Sequence, residues 1–350
     1  MKYELKNEFL SVTLTTFGGT FTSIKDRYGI EYLWQGNEQY WKGQAPILFP
    51  ICGSIRNNHA ESLDGNKLSM PRHGLVRHLE FSMVKISDNS ITFSIESNET
   101  TYQSYPYNFV LYVCYTLKDN QILTEYIIEN TGSKKMPFFI GAHPAFNCPI
   151  MPNETYEDYY LEFDKEETIK IPTPIKSSGL IDFDNRIDLI EKSKYLTLTY
   201  DLFTVDSLIF DSIQSRKVSL KSKKNAYDIT LEFPKFPYLV LWTSTNHGPF
   251  IAIEPWSGLS TGNDEDDIFE HKRNSQFILP LQKILMQYYI TLNHLKKKLL
   301  IHIPDENFRS VRYYGFYSNK AGEELDHVHE LLGDKKSRDY SKETRKKKRC

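Results

Sequence analysis

The chain has 350 residues, 40% apolar and 25% charged, with a formal net charge of −2. This is the profile of an ordinary globular protein, and the length is compatible with one large β domain or two smaller ones. Cysteines 52, 114, 148 and 350 lack C-x-x-C spacing and histidines at zinc intervals, which argues against structural zinc and a dense disulfide framework. Residues 1–8 have no apolar leader core and no apolar run nears the roughly 18–20 residues that span a bilayer, so a cytoplasmic protein without a membrane partner is expected.

Read in chain order, residues 1–292 form short β-favouring runs separated by turn signals. The aromatic content is 14%, with 23 Tyr and 21 Phe, which favours sheets. Residues 8–17 alternate apolar and polar and stop at Gly18-Gly19. The runs 81–84 and 91–95 flank Asp88-Asn89, and 108–117 and 122–129 flank Lys118-Asp119-Asn120, both with hairpin chemistry. Further strands are expected at 195–200, 207–210, 217–220, 227–233, 239–243, 250–253 and 277–291. Few windows have helical periodicity, so the expectation is an all-β, antiparallel sandwich or barrel.

Beyond Leu292 the composition changes. Residues 294–350 carry 15 Lys and Arg against 9 Asp and Glu, whereas the first 293 carry 28 against 36. A division into a 1–292 domain and a basic, partly disordered 293–350 extension follows. The stretch 301–318 resembles a fragment of a rolling-circle insertion-sequence transposase, read as a fused or read-through remnant. From its basic residues only weak, salt-sensitive affinity for nucleic acid is expected.

Two segments carry the chemistry. Gly141-Ala142-His143-Pro144-Ala145-Phe146 and Ile251-Ala252-Ile253-Glu254-Pro255-Trp256-Ser257-Gly258 each place one proton-carrying side chain at the end of an apolar run. A histidine and a glutamate on a rigid sheet, beside an indole that can stack on a sugar, suit an acid/base pair aimed at a carbohydrate. The competing readings are a surface ion pair for Glu254, a satisfied core histidine for His143 and simple core packing for Trp256. His73, His143 and Glu254 also match a two-histidine, one-carboxylate metal set in residue type, and Glu254 with Asp206 matches a glycosidase carboxylate pair. The sequence has no G-x-S-x-G elbow, no phosphate loop and no dinucleotide fingerprint.

With Arg72-His73-Gly74 and Val205-Asp206-Ser207, these segments resemble the aldose 1-epimerases (the galactose mutarotase family) over residues 1–292, and most of all the bacterial branch typified by lactose-operon proteins. The resemblance implies the β-sandwich of that superfamily and cofactor-free interconversion of the α and β anomers of a free hexose. It implies Glu254 as base and His143 as acid, with His73 and Asp206 binding the sugar and Trp256 offering a stacking surface. It also implies an arginine beside the ring. Arg56 is the choice within Ile51-Cys52-Gly53-Ser54-Ile55-Arg56-Asn57, and Arg72 or Arg77 would substitute if Ser54 holds that position. The alternatives are a catalytically silent sugar-binding protein of the same fold and a hexose-6-phosphate mutarotase. No separate phosphate clamp stands out, which favours an unphosphorylated aldose as the small-molecule partner; oligomeric state is left open.

Overall fold

In the computed structural model, which describes residues 1–293, every paired strand runs antiparallel to its neighbour. Nine strands form one sheet, in the order Leu180–Thr197, Tyr159–Ile175, Lys217–Ser222, Asp228–Glu232, Lys283–Asn293, Gln121–Asn130, Phe109–Lys118, Ser90–Glu96 and Ser82–Ile86. A second sheet runs Ser207–Phe210, Tyr238–Trp242, Phe250–Trp256, Gly141–Ala142 and Ile47–Leu48, with Ala145–Asn147 also pairing to Phe250–Trp256. Lys2–Lys6, Leu10–Thr15 and Thr20–Asp26 make a third, smaller sheet. The all-β antiparallel architecture expected from the sequence is the observed one. Its one α-helix among the described residues is Glu99–Ser104, capped by Asn98.

Alternation explains the outer strands. Gln121–Asn130 and Leu10–Thr15 bury every second residue, as strands with one face on a core must. One continuous apolar core draws on both large sheets, from Leu111, Val113 and Tyr126 to Leu241, Ile251 and Ile253. The strand Phe250–Trp256 is different, because all seven of its residues are buried. Ile251 and Ile253 face the main core, while Phe250 and Ala252 join a separate aromatic cluster with Trp34 and Ala145. Glu254 and Trp256 share parity with that second face.

Two expectations need correction. The run expected at 277–291 is two strands, Gln276–Ile278 and Lys283–Asn293. Pro280 has no N–H to donate and Leu281 takes φ +60°, so the chain turns there. The long hairpin Tyr159–Ile175 and Leu180–Thr197 was not anticipated as such, only its last residues. The boundary expected at Leu292 and the transposase-like stretch fall at or outside the end of the described residues.

Candidate active site

Strand register puts the two proton-carrying residues face to face. Gly141 pairs with Trp256 and Ala145 pairs with Ala252. The same antiparallel register, carried across the short gap between those pairs, sets His143 opposite Glu254. The gap is tied down by the Ile253 N–H donating to the Pro144 carbonyl at 3.1 Å and the His143 N–H donating to the Pro46 carbonyl at 3.1 Å. His143 Nε2 then lies 3.3 Å from Glu254 Oε2.

Both groups are withdrawn from solvent: Glu254 is 1% exposed and His143 6%. Burial raises the Glu254 carboxyl well above its ordinary value, with the positive charge of Arg72 opposing. Burial also pushes the His143 imidazole down to about 3, and the charges of Arg77 and Arg72 add to that depression. Glu254 makes no ion pair with a lysine or arginine among the described residues, so the surface-pair reading does not fit. Nor is His143 a satisfied core histidine, because its Nδ1 is buried without a hydrogen-bond partner, as is Glu254 Oε2.

His73 sits on a turn whose Gly74 N–H donates to the Pro71 carbonyl at 2.9 Å. The His73 N–H binds the Gly53 carbonyl at 2.7 Å, and the Gly53 N–H returns a bond to His73 Nδ1 at 3.2 Å. An accepting Nδ1 leaves the proton of the neutral ring on Nε2. The ring is held neutral by burial, which takes it well below the usual histidine range, with His143 and the two nearby arginines contributing. It stands edge-on to His143, centroids 5.6 Å apart, and edge-on to Trp256 at 5.5 Å.

Asp206 caps the turn before Ser207–Phe210 at φ +93°, and Ser207 pairs with Trp242. The Trp242 Nε1–H donates to Asp206 Oδ1 at 3.3 Å, and Arg72 Nη2 lies 3.7 Å from Asp206 Oδ2. Trp41 stacks on His143 at 4.8 Å, and Trp242 stands edge-on to it at 5.7 Å. The fold therefore gathers His73, His143, Glu254, Trp256, Asp206 and Arg72 around one point. Trp256 is buried beside His73 rather than open as a platform, and Trp41 and Trp242, half-buried, flank His143.

Arg56 is not among them. Its Nε meets Asp267 Oδ1 at 3.0 Å and its Nη2 meets the carbonyls of Gly262 at 3.2 Å and Glu265 at 2.9 Å, so the guanidinium is tied to the 262–267 loop. Arg72, one of the two substitutes, is the arginine beside Asp206. Trp41 and Trp242 were not singled out from the sequence; the apolar run Leu239-Val240-Leu241-Trp242, read as a strand, was the one available signal for Trp242. Among the described residues no group of three or more His, Cys, Asp or Glu is arranged to hold a metal ion.

Known proteins resemble this chain in sequence and in fold. The family model described as aldose 1-epimerase matches residues 1–264. Protein LacX, plasmid, from Lactococcus lactis subsp. lactis is 47% identical over 297 residues, which cover 83% of this chain and 99% of that protein. Its chromosomal counterpart is 46% identical over the same shares. Among solved structures, a galactose mutarotase related enzyme from Lactobacillus acidophilus has a TM-score of 0.79 at 29% identity, covering 84% of this chain and 97% of its own. A galactose mutarotase-like protein from Lactobacillus casei has a TM-score of 0.78 at 27% identity, covering 84% and 100%.

Proposed function

Because the chain belongs to the aldose 1-epimerase family, we propose that it interconverts the α and β anomers of an aldose by general acid/base catalysis, with Glu254 and His143 as the proton-transfer pair. The observation that carries this reading is the 3.3 Å contact between His143 Nε2 and Glu254 Oε2, with Trp41 and Trp242 against the histidine ring.

Ring opening moves one proton off the anomeric hydroxyl and one onto the ring oxygen. The C1–O5 bond breaks, the C1=O1 bond forms, the aldehyde turns about C1–C2, and the reverse transfers close the other face. Nothing is consumed, and two groups holding one proton between them suffice. Burial acts in the useful direction on both: it strengthens the Glu254 carboxylate as a base and the His143 imidazolium as an acid. The anomeric hydroxyl and the ring oxygen would exchange protons with these two groups, each of which has a buried polar atom without a hydrogen-bond partner. His73 presents its Nε2–H as a donor to a sugar oxygen, and Asp206 accepts from sugar hydroxyls, held by Trp242 and Arg72.

Polarimetry on freshly dissolved α-D-galactose and α-D-glucose, with exchange NMR for other aldoses, tests the reading. Glu254→Gln and His143→Ala should each lose at least about 10²-fold in rate, the usual scale for removing a general acid or base. Turnover near the wild-type rate in either variant would sink the assignment. Sugar binding without any acceleration would make the chain a silent binder.

A further inference from the structure

A histidine that moves protons is ordinarily oriented through its second ring nitrogen, by a hydrogen bond to a carboxylate or a backbone carbonyl. His143 has no such contact. Its Nε2 faces Glu254 Oε2 at 3.3 Å, while its Nδ1 is buried without a hydrogen-bond partner. The backbone is fixed by the His143 N–H on the Pro46 carbonyl at 3.1 Å, but the last torsion of a histidine side chain is broad, and backbone contacts do not set it. What touches the ring is aromatic. Trp41 lies face to face with it, centroids 4.8 Å apart and planes 25° apart, and the rings of Trp242 and His73 stand edge-on at 5.7 and 5.6 Å.

Trp41 is itself held in place. Its carbonyl accepts from the Trp34 indole N–H at 2.9 Å and from the Asn37 N–H at 3.0 Å, which closes the turn 37–41. Asn246 donates to the Gln39 carbonyl at 2.5 Å and ties that turn to the 244–248 loop. The foot of the turn rests on the segment that carries His143, where the Ala145 N–H donates to the Gln44 carbonyl at 2.9 Å. Trp242 and Phe250 pack on the indole at 5.4 and 5.8 Å, and a Cβ at Gly43 would come within 2.3 Å of its ring. A fixed, flat surface is thus presented to an imidazole that no hydrogen bond at Nδ1 orients.

We propose that Trp41 is the positioning residue of His143: stacking on the indole fixes the plane of the imidazole and so the aim of Nε2, the task that a hydrogen bond at Nδ1 performs elsewhere. This rests on the aldose 1-epimerase reading and adds a residue to it. A tryptophan beside a sugar site could instead serve as a stacking platform, and the two roles have different kinetic signatures. A platform binds ground state and transition state alike, so its loss raises KM; a residue that aims the acid acts on the proton transfer, so its loss lowers kcat. The geometry favours the second role, because the imidazole already lies on the indole face.

Two readouts on the full chain test it, anomer-exchange kinetics and the NMR signals of the histidine rings at neutral pH. The His143 ring protons, identified as the signals missing from His143→Gln, should be displaced upfield by the ring current of the indole above them. Trp41→Leu should lose that displacement and lower kcat at least about 10-fold, the scale of a misaimed proton donor, with KM held within about 2-fold. Trp41→Phe, which keeps a flat face, should recover most of both. If Trp41→Leu does not fold, Trp41→Met, long and without a flat face, carries the same comparison against Trp41→Phe. Unchanged kcat in Trp41→Leu, or a raised KM at constant kcat, overturns the inference, the latter by making the indole a sugar platform. An equal loss in Trp41→Leu and Trp41→Phe also overturns it, because a flat ring would then not be what the site uses. Absence of exchange by the unaltered protein with every aldose would defeat the epimerase reading instead. The histidine signals then decide this inference: displaced in the unaltered protein and collapsed in Trp41→Leu supports it, and signals unmoved by the substitution overturn it.

Discussion

A carboxyl group that is 1% exposed and lacks a cationic partner is destabilising once ionised. Glu254 therefore links stability to pH. Its folded-state proton affinity lies well above the ordinary value of 4.5, so the unfolded chain loses this proton at lower pH than the folded one. The resulting stability is complete below the unfolded value and is lost as pH rises from there toward the folded one. Glu254→Gln keeps the shape and cannot ionise. It should melt a few degrees above wild type at pH 8, with the gap closing as pH falls toward 4.5, in thermal unfolding followed across pH 4–8. A variant that melts below wild type at pH 8 would contradict the account. Stability gained with activity lost is the expected trade at a site built around a buried acid.

Between single residues and the whole fold, the turn that carries His73 illustrates how much an element contributes. Two consecutive residues have left-handed backbones there, His73 at φ +69° and Gly74 at φ +78°. Any Cβ on Gly74 would come within 2.2 Å of the Phe49 carbonyl oxygen, which is backbone and cannot yield cheaply. Gly74→Ala should cost about 2 kcal/mol or more and lower sugar affinity by moving His73, read from chemical denaturation and calorimetry together; an unchanged midpoint would refute the close approach. Elements of this sort were legible in the sequence: Pro71 and Gly74 marked the turn, and the Gln121–Asn130 strand showed in its alternation. The hairpin Tyr159–Ile175 with Leu180–Thr197 was not, because its outer face is charged and its register shifts at four places, which breaks a period-two pattern. At the site, motif neighbours led to His143 and Glu254, but choosing between Arg56 and Arg72 depended on Asp267, 211 residues from Arg56. Pairings at that distance leave no local trace.

At the scale of the molecule, the last strand among the described residues decides how far the sheet domain must extend. Lys283–Asn293 is interior to the nine-stranded sheet, bonded on one side to Asp228–Glu232 and on the other to Gln121–Asn130. Asn293 itself donates to Asp228 at 2.5 Å and Thr230 at 3.1 Å. Removing the strand would open two ladders and take away Met286, Tyr288, Ile290 and Leu292, each 4% exposed or less, together with the apolar burial they supply. At roughly 1.5–3 kcal/mol per large apolar side chain, those four account for a large part of the 5–15 kcal/mol that separates folded from unfolded domains. All the site side chains lie within residues 1–293, and the excess of basic charge lies beyond them. A chain ending at Asn293 should therefore keep anomer exchange close to that of the full chain, while one ending at Gln282 should yield no cooperative unfolding transition. Any retention of DNA in a gel shift should be lost with the extension and weaken steeply between 50 and 200 mM salt, as contacts to phosphates do. Exchange lost on cutting after Asn293 would mean that the basic extension contributes to the site and that the catalytic unit is larger than the two sheets.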